Sequence, residues 1–389
     1  MLGLQCRWWP TVGLSVFVTM LGCDDGAGAP QASGTTSDGG SEPTSGGGED
    51  GHACPAGSQR PPPQEIATLD FTSATLGAVA ADGSAVAVGG WPSEVARFSP
   101  DGSELWRAPL EAEGNSVHFG SVLVGEDVIV VGNVGSVGTL WRFGADGTPL
   151  SVEADAEGRA YAAAALAPGG GMALVADGTV ERHAPDGSIA WSQDIEAPEG
   201  SSLLAAAAPT DDRVFLVGGI GGEGEALALR VAPGEVEQTL LPPEEFPNAF
   251  FYGVAPTPQG GAVAVGRSEQ DQLVAMLDGA GAVLWTSTCG PTELGGTADH
   301  VTVDGDRVVL GGMRPKPEPG CADACSGAHF VWVRELSLDG SIVSTSAPES
   351  LTGAEYPFEA VVALALDPSG SIVALADSND GARLLRFPE

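Results

Sequence analysis

The sequence predicts an all-β chain folded as a seven-bladed β-propeller of four-stranded antiparallel blades, the last blade closed by the N-terminal strand. Three observations carry this reading. An octapeptide pattern recurs seven times, a strand–turn–strand phrase follows several copies, and an orphan strand at the start matches a missing strand at the end. The octapeptides are GSAVAVGG (83–90), EDVIVVGN (126–133), GGMALVAD (170–177), DRVFLVGG (212–219), GGAVAVGR (260–267), GDRVVLGG (305–312) and GSIVALAD (370–377). Their starts lie 43, 44, 42, 48, 45 and 65 residues apart. A unit of about 40–45 residues with four short strands is the period of a propeller blade.

Within each unit the strands follow in a fixed order. A run of small or apolar residues comes first, as in LGAVAA (76–81) and SLLAAAA (202–208), and suits a crowded position near a central axis. The octapeptide comes second, and four β-favouring residues bounded by glycine read as a strand buried on both faces. The third strand runs into a turn and the fourth leaves it. RFSPDGSELWRAPL (97–110) returns as RFGADGTPL (142–150), RHAPDGSIAW (182–191) and MLDGAGAVLW (276–285). Asp-Gly and its relatives supply the positive φ that a tight hairpin needs. The seventh unit stops at ARLLRFPE (382–389), without its fourth strand, whereas EIATLDFT (65–72) precedes the first inner strand. Pairing the two closes the ring and removes an open sheet edge.

Two side chains recur in register. Trp106, Trp191 and Trp285 sit at the same place after the turn in units one, three and five, where a large aromatic area can dock adjacent blades. Arg97, Arg142, Arg182, Arg230 and Arg386 recur on the third strand, replaced by Met276 and Glu335 in units five and six. Regular recurrence reads as structural, each stem covering apolar surface.

The first 63 residues stand apart. Arg7 and the apolar run TVGLSVFVTMLG (11–22) form a signal too short for a stable transmembrane helix. MLGC (20–23) resembles the lipobox of bacterial lipoproteins, although Met20 departs from the usual leucine and Leu21 is bulkier than the usual residue. That resemblance implies a signal peptide over 1–22, lipidation of Cys23, and an exported chain held to a bacterial membrane on its periplasmic or cell-surface side. Two or more acyl chains hold stably where one binds marginally. Residues 23–63, rich in Gly, Ser and Pro, read as a disordered tether, and 64–389 as the propeller. Such a tether spans ~30–40 Å root-mean-square.

Composition excludes some partners. With 52 acidic and 16 basic residues, the formal charge of −36 opposes nucleic acid and anionic lipid surfaces. A strongly self-repelling surface also favours a monomer.

Units of the form D-G-x-x-x-W, in PDGSELW (100–106) and PDGSIAW (185–191), resemble the repeats of pyrroloquinoline-quinone-type bacterial propellers. For enzymes of that architecture the resemblance implies bound calcium and quinone, and often a disulfide between adjacent cysteines. Here no two cysteines are adjacent and none of those ligands is matched. His52, His118, His183, His300 and His329 are scattered and form no metal-spaced motif. The acidic turns DSNDG (377–381) and VDGDR (303–307) do not match a calcium loop, so a structural calcium is the weaker reading of them. No catalytic, cofactor-binding or metal-binding residue is therefore assigned.

Cys54, Cys289, Cys321 and Cys325 suggest disulfides in an exported chain. Cys321 and Cys325 lie in the insertion of blade six, and Cys289 ends the outer strand of blade five on the same face of the disc. The reading leans to Cys289 with one of that pair. A local Cys321–Cys325 bridge and a zinc site with His329 are its alternatives.

The function expected is a lipid-anchored, non-catalytic binding or scaffold module in the cell envelope, facing an envelope protein or surface ligand. Its insertion at 314–329 is the main embellishment of the repeat. Resemblance to lipid-anchored propellers implies a scaffold in outer-membrane protein assembly. The alternative is an exported quinoprotein-like or hydrolytic enzyme with its site at the central channel.

Overall fold

A computed structural model describes residues 57–71, 74–80, 82–90, 92–110, 117–125, 127–221, 224–269, 271–288, 296–315, 329–346 and 359–389. Cys23, Cys54, Cys289, Cys321, Cys325 and His52, with most of the blade-six insertion, lie outside them.

Among the described residues the regular elements are all strands, in seven sheets. Blades one to six each take four consecutive strands in a meander. The inner strands are Ala74–Val79, Val117–Val124, Tyr161–Leu166, Ser201–Thr210, Phe250–Pro256, Thr297–Asp304 and Glu359–Leu366. Each contacts the next, and the seventh contacts the first, so the ring is closed. Closure is by the expected strand. Gln64–Thr68 pairs antiparallel with Arg383–Phe387, setting Gln64 opposite Arg386 and Thr68 opposite Arg383.

The octapeptides are apolar at every central position because each serves two interfaces. Side chains alternate across a strand, so neighbours in sequence face opposite blades. In blade one, Ala85 and Ala87 pack against blade seven, whereas Val86 and Val88 pack against blade two. Blade five repeats this, with Ala262 and Ala264 toward blade four and Val263 and Val265 toward blade six. The apolar core is thus seven clusters, one for each interface between blades. Each fully buried valine or leucine contributes about 1.5–3 kcal/mol relative to an exposed one.

The turns between third and outer strands divide the work of Asp and Gly. Gly102, Gly147 and Gly187 have φ of 84°, 82° and 83°. Asp101, Asp146 and Asp186 instead accept the backbone N–H two residues on, at 3.1, 3.0 and 3.0 Å. The tryptophans dock blades by joining the next blade's turn. Trp106 Nε1 donates to Ala145 O at 2.9 Å, Trp191 Nε1 to Asp211 O at 3.1 Å, and Trp285 Nε1 to Leu338 O at 2.9 Å. Trp106 also stacks on Phe143 with centroids 5.8 Å apart.

One element departs from the sequence reading. Ser58–Arg60 lies within the stretch that composition assigns to the tether, yet it forms a fifth strand, parallel to Ile342–Ser346 of blade six. Its anchor is Arg60, buried against Glu335, with Nε donating to Ser344 Oγ at 2.6 Å and Nη1 to Pro388 O at 3.0 Å. Glu335 stands where other blades carry the recurrent arginine, so here the polarity of the pair is reversed. Burial pushes the Glu335 carboxyl up, but hydrogen bonds from Arg307 and Arg60 outweigh it and hold it below the usual range. Composition missed this strand because one buried ion pair, rather than apolar area, fastens it.

Candidate functional site at the channel mouth

Turns joining inner to second strands and third to outer strands lie on one face of the disc, the turn face. Connections between blades, and those between second and third strands, lie on the other, the loop face. The recurrent arginines belong to the turn face and do not converge. Arg142 Nε meets Asp127 at 2.6 Å, Arg182 meets Asp211 at 2.6 Å, Arg230 meets Glu235 at 3.1 Å, and Arg386 meets Asp367 at 3.5 Å. These four bond a carboxylate in a nearby turn or on the adjoining outer strand, and Arg97 donates to Ser84 Oγ at 3.3 Å, as structural residues would.

A second regularity lies inside the ring. All seven inner strands carry a β-bulge at the same place, near the loop face. The extra residues are Thr75, Gly120, Ala162, Leu204, Tyr252, Asp299 and Val362. Bulges bend a strand and re-aim a side chain, and they cluster at barrel rims and active sites. Five of the seven residues are small or aliphatic. Tyr252 and Asp299, on adjacent blades, are the exceptions.

Both line a central cavity of about 360 Å³. Its wall toward blades one to four is small and aliphatic, with Leu76, Val122, Leu166 and Leu204 among its residues. Toward blades five and six it carries Tyr252, Asp299 and His300. Ser121, the remaining hydroxyl side chain of the lining, already bonds Ala164 N at 2.9 Å.

The electrostatics follow from enclosure. Asp299 keeps some accessible surface toward the channel but is surrounded by protein, and this desolvation pushes its carboxyl up to about 6. A hydrogen bond from Thr297 Oγ1 at 2.9 Å, the Met313 N–H and the charge of Arg267 oppose that rise without cancelling it. Desolvation lowers His300 to about 4, so its imidazole is neutral at pH 7. It also raises the Tyr252 phenol, with Asp299 adding to the rise and Arg267 opposing it. The Arg267 guanidinium lies over the Tyr252 ring, 5.9 Å from its centroid, and Phe250 lies 5.4 Å from the same ring. Such a site can hold a polar or charged group at its mouth and an apolar body below.

The structure therefore brings together residues that sequence reasoning left scattered. His300 joins the mouth, whereas His183 lies on the third strand of blade three, with Nε2 3.1 Å from Glu181 Oε2. The Ala-rich inner strands YAAAALAP (161–168) and LLAAAAP (203–209) of blades three and four offer few polar groups, but those of blades five and six do not follow them. A signal was present. The bulge residue falls eight positions before the octapeptide in blades one, three, four, five and seven, and six before it in blades two and six. Aligned on that position, Tyr252 and Asp299 break a column of small and aliphatic residues. The acidic turns give no comparable cluster. Among the described residues no group of three or more His, Cys, Asp or Glu is placed to hold a metal ion. Within DSNDG, Asp377 Oδ1 accepts the Ala74 N–H at 2.9 Å.

Comparison with known proteins places the fold. Residues 176–316, from the end of the second strand of blade three to blade six, match the sequence family described as outer membrane protein assembly factor BamB. No curated protein matches the chain in sequence. Among solved structures, the Pan2 WD40 domain of Neurospora crassa superposes with a TM-score of 0.59 at 10% identity, covering 86% of this chain and 98% of that one. A streptogramin B lyase gives 0.58 at 11% identity, covering 84% and 97%. The virginiamycin B lyase of Staphylococcus aureus gives 0.58 at 10%, covering 84% and 99%. At such identities these likenesses show the shared fold alone. Seven four-stranded blades in a closed ring, with blades three to six inside or overlapping the matched segment, fit a PQQ-like β-propeller repeat domain.

Proposed function

We propose that this chain is a lipid-anchored binding or scaffold module of the bacterial envelope, presenting its loop face to a partner. The observation that carries the reading is the match of residues 176–316 to a family described as an outer-membrane assembly factor. A rigid ring that displays loops suits recognition. Lipidation at Cys23 through the lipobox-like MLGC supplies the tether to the membrane. The test is the intact mass of protein isolated from membranes, beside a Cys23→Ala variant. A mass showing cleavage before Cys23 plus acyl chains, with the variant released from the membrane, is the expected result. Cleavage without lipid overturns the anchored reading and makes this a free exported propeller.

One observation favours a second reading, an exported enzyme acting at the channel. Tyr252, Asp299 and His300 share the mouth, a mixture of groups that serves general acid–base chemistry. Under that reading, turnover of a hydrolysable substrate falls by at least about 10²-fold in both Asp299→Asn and His300→Gln. Under the scaffold reading neither variant disturbs partner capture by loop-face cross-linking.

A further inference from the structure

We propose that the channel mouth between blades five and six binds a small amphiphilic cation, a protonated amine carried on an apolar body. The inference rests on the geometry of the channel and stands independently of the scaffold reading.

Three residues with polar side chains line the same cavity from two adjacent inner strands: Tyr252, Asp299 and His300. Two of them lack a hydrogen-bond partner among the described residues, the Tyr252 hydroxyl and the His300 ring. The Asp299 carboxylate accepts from Thr297 Oγ1 and the Met313 N–H, which leaves acceptor capacity on a group with about four lone-pair sites. Nor does Asp299 form an ion pair with Arg267, whose charge acts on it from the exposed rim on the face of Tyr252. A primary ammonium has three N–H donors and no acceptor. The mouth offers it three acceptors: a carboxylate oxygen, the phenolic oxygen, and one nitrogen of an imidazole that is neutral at pH 7.

The rest of the cavity suits the ligand's other end. Leu76, Val122, Leu166 and Leu204 line the side toward blades one to four. A volume of about 360 Å³ falls in the range of small-molecule pockets, which are mostly apolar with a few placed polar groups. The field has the matching sign, since 52 acidic against 16 basic residues concentrate cations near the surface. An anion would meet Asp299 unpaired. A neutral polar ligand would leave its charge unmet.

The test is isothermal titration of the full chain at pH 7.5 with hexylamine, hexan-1-ol and hexanoate, which share one apolar body and differ in charge. Hexylamine is expected to bind saturably at one site, hexan-1-ol at least tenfold more weakly, and hexanoate not at all. Asp299→Asn is expected to lose at least tenfold in hexylamine affinity, and Tyr252→Phe about threefold. Arg267→Gln keeps or strengthens binding, because it removes a like charge. Lowering the pH to 5 weakens binding as Asp299 protonates. Thermal melts of each variant establish that it is folded. Hexan-1-ol binding within twofold of hexylamine, preferred binding of hexanoate, unchanged affinity in folded Asp299→Asn, or no saturable hexylamine binding each overturns the proposal. None of these outcomes bears on membrane anchoring.

Discussion

The two faces of the disc follow opposite rules. On the turn face, blades repeat one another: a glycine at positive φ, an aspartate accepting the next N–H but one, in four blades an arginine bonded to a nearby carboxylate, and in alternate blades a tryptophan bonded to its neighbour. On the loop face the same inner-strand bulge recurs seven times, but its side chains do not, and the exceptions fall together on blades five and six. Repetition across blades is what a closed ring needs, because each interface solves the same packing problem. Local departure from it, where no packing gain is evident, marks a site under a different demand.

The comparison breaks if turn-face residues can be removed cheaply. The largest effect is expected at Trp106, which is 9% exposed, stacks on Phe143 and bonds the next blade. Trp106→Ala should cost about 3–5 kcal/mol in chemical unfolding. Arg60→Ala should cost about 3 kcal/mol, at the low end for a broken buried pair because Arg307 stays bonded to Glu335 at 2.6 Å. Limited proteolysis should then cut near residues 58–63. The loss of this pair also has a pH signature. The folded Glu335 carboxyl is held below its unfolded value, so its contribution is complete above about pH 4.5 and is lost as pH falls through the folded value. Next is Gly147→Ala. Its φ is 82°, and an added Cβ would stand 2.6 Å from the Trp106 ring, so a cost of about 1–3 kcal/mol is expected in thermal unfolding.

How much of this was legible depended on whether a feature repeats. The octapeptides announced the blades because strands buried on both faces must be apolar throughout. The missing outer strand of blade seven was legible because EIATLDFT and ARLLRFPE are complementary halves of one unit. The strand Ser58–Arg60 was not legible. It has no apolar pattern, and its anchor Glu335 is 275 residues away in sequence. The channel mouth was hidden for a different reason. Tyr252, Asp299 and His300 lie 47 and 48 positions apart across two units, and only the ring brings their strands side by side. Which residues of an inner strand face the axis depends on a bulge that shifts the alternation by one, and its place shows only when the seven units are aligned on their octapeptides.

The smallest expected effect is also the most direct test of the contrast between faces. Asp299 is enclosed and its carboxyl is raised to about 6, so ionising it opposes folding. The sign follows from linkage. Well below the unfolded value of 3.8 the group is protonated in both states and costs nothing. The penalty grows from pH 4 to 6 and is complete above. Thermal unfolding of Asp299→Asn beside the unaltered protein, at pH 7.5 and at pH 4, is therefore decisive. The variant should be more stable by about 1–2 kcal/mol at pH 7.5, with most of the difference gone at pH 4. That result would support a carboxylate held for a ligand, as proposed for the channel mouth. A variant destabilised at both pH values would show that Asp299 is a structural acceptor like the aspartates of the turn face, and the contrast between the faces would fail.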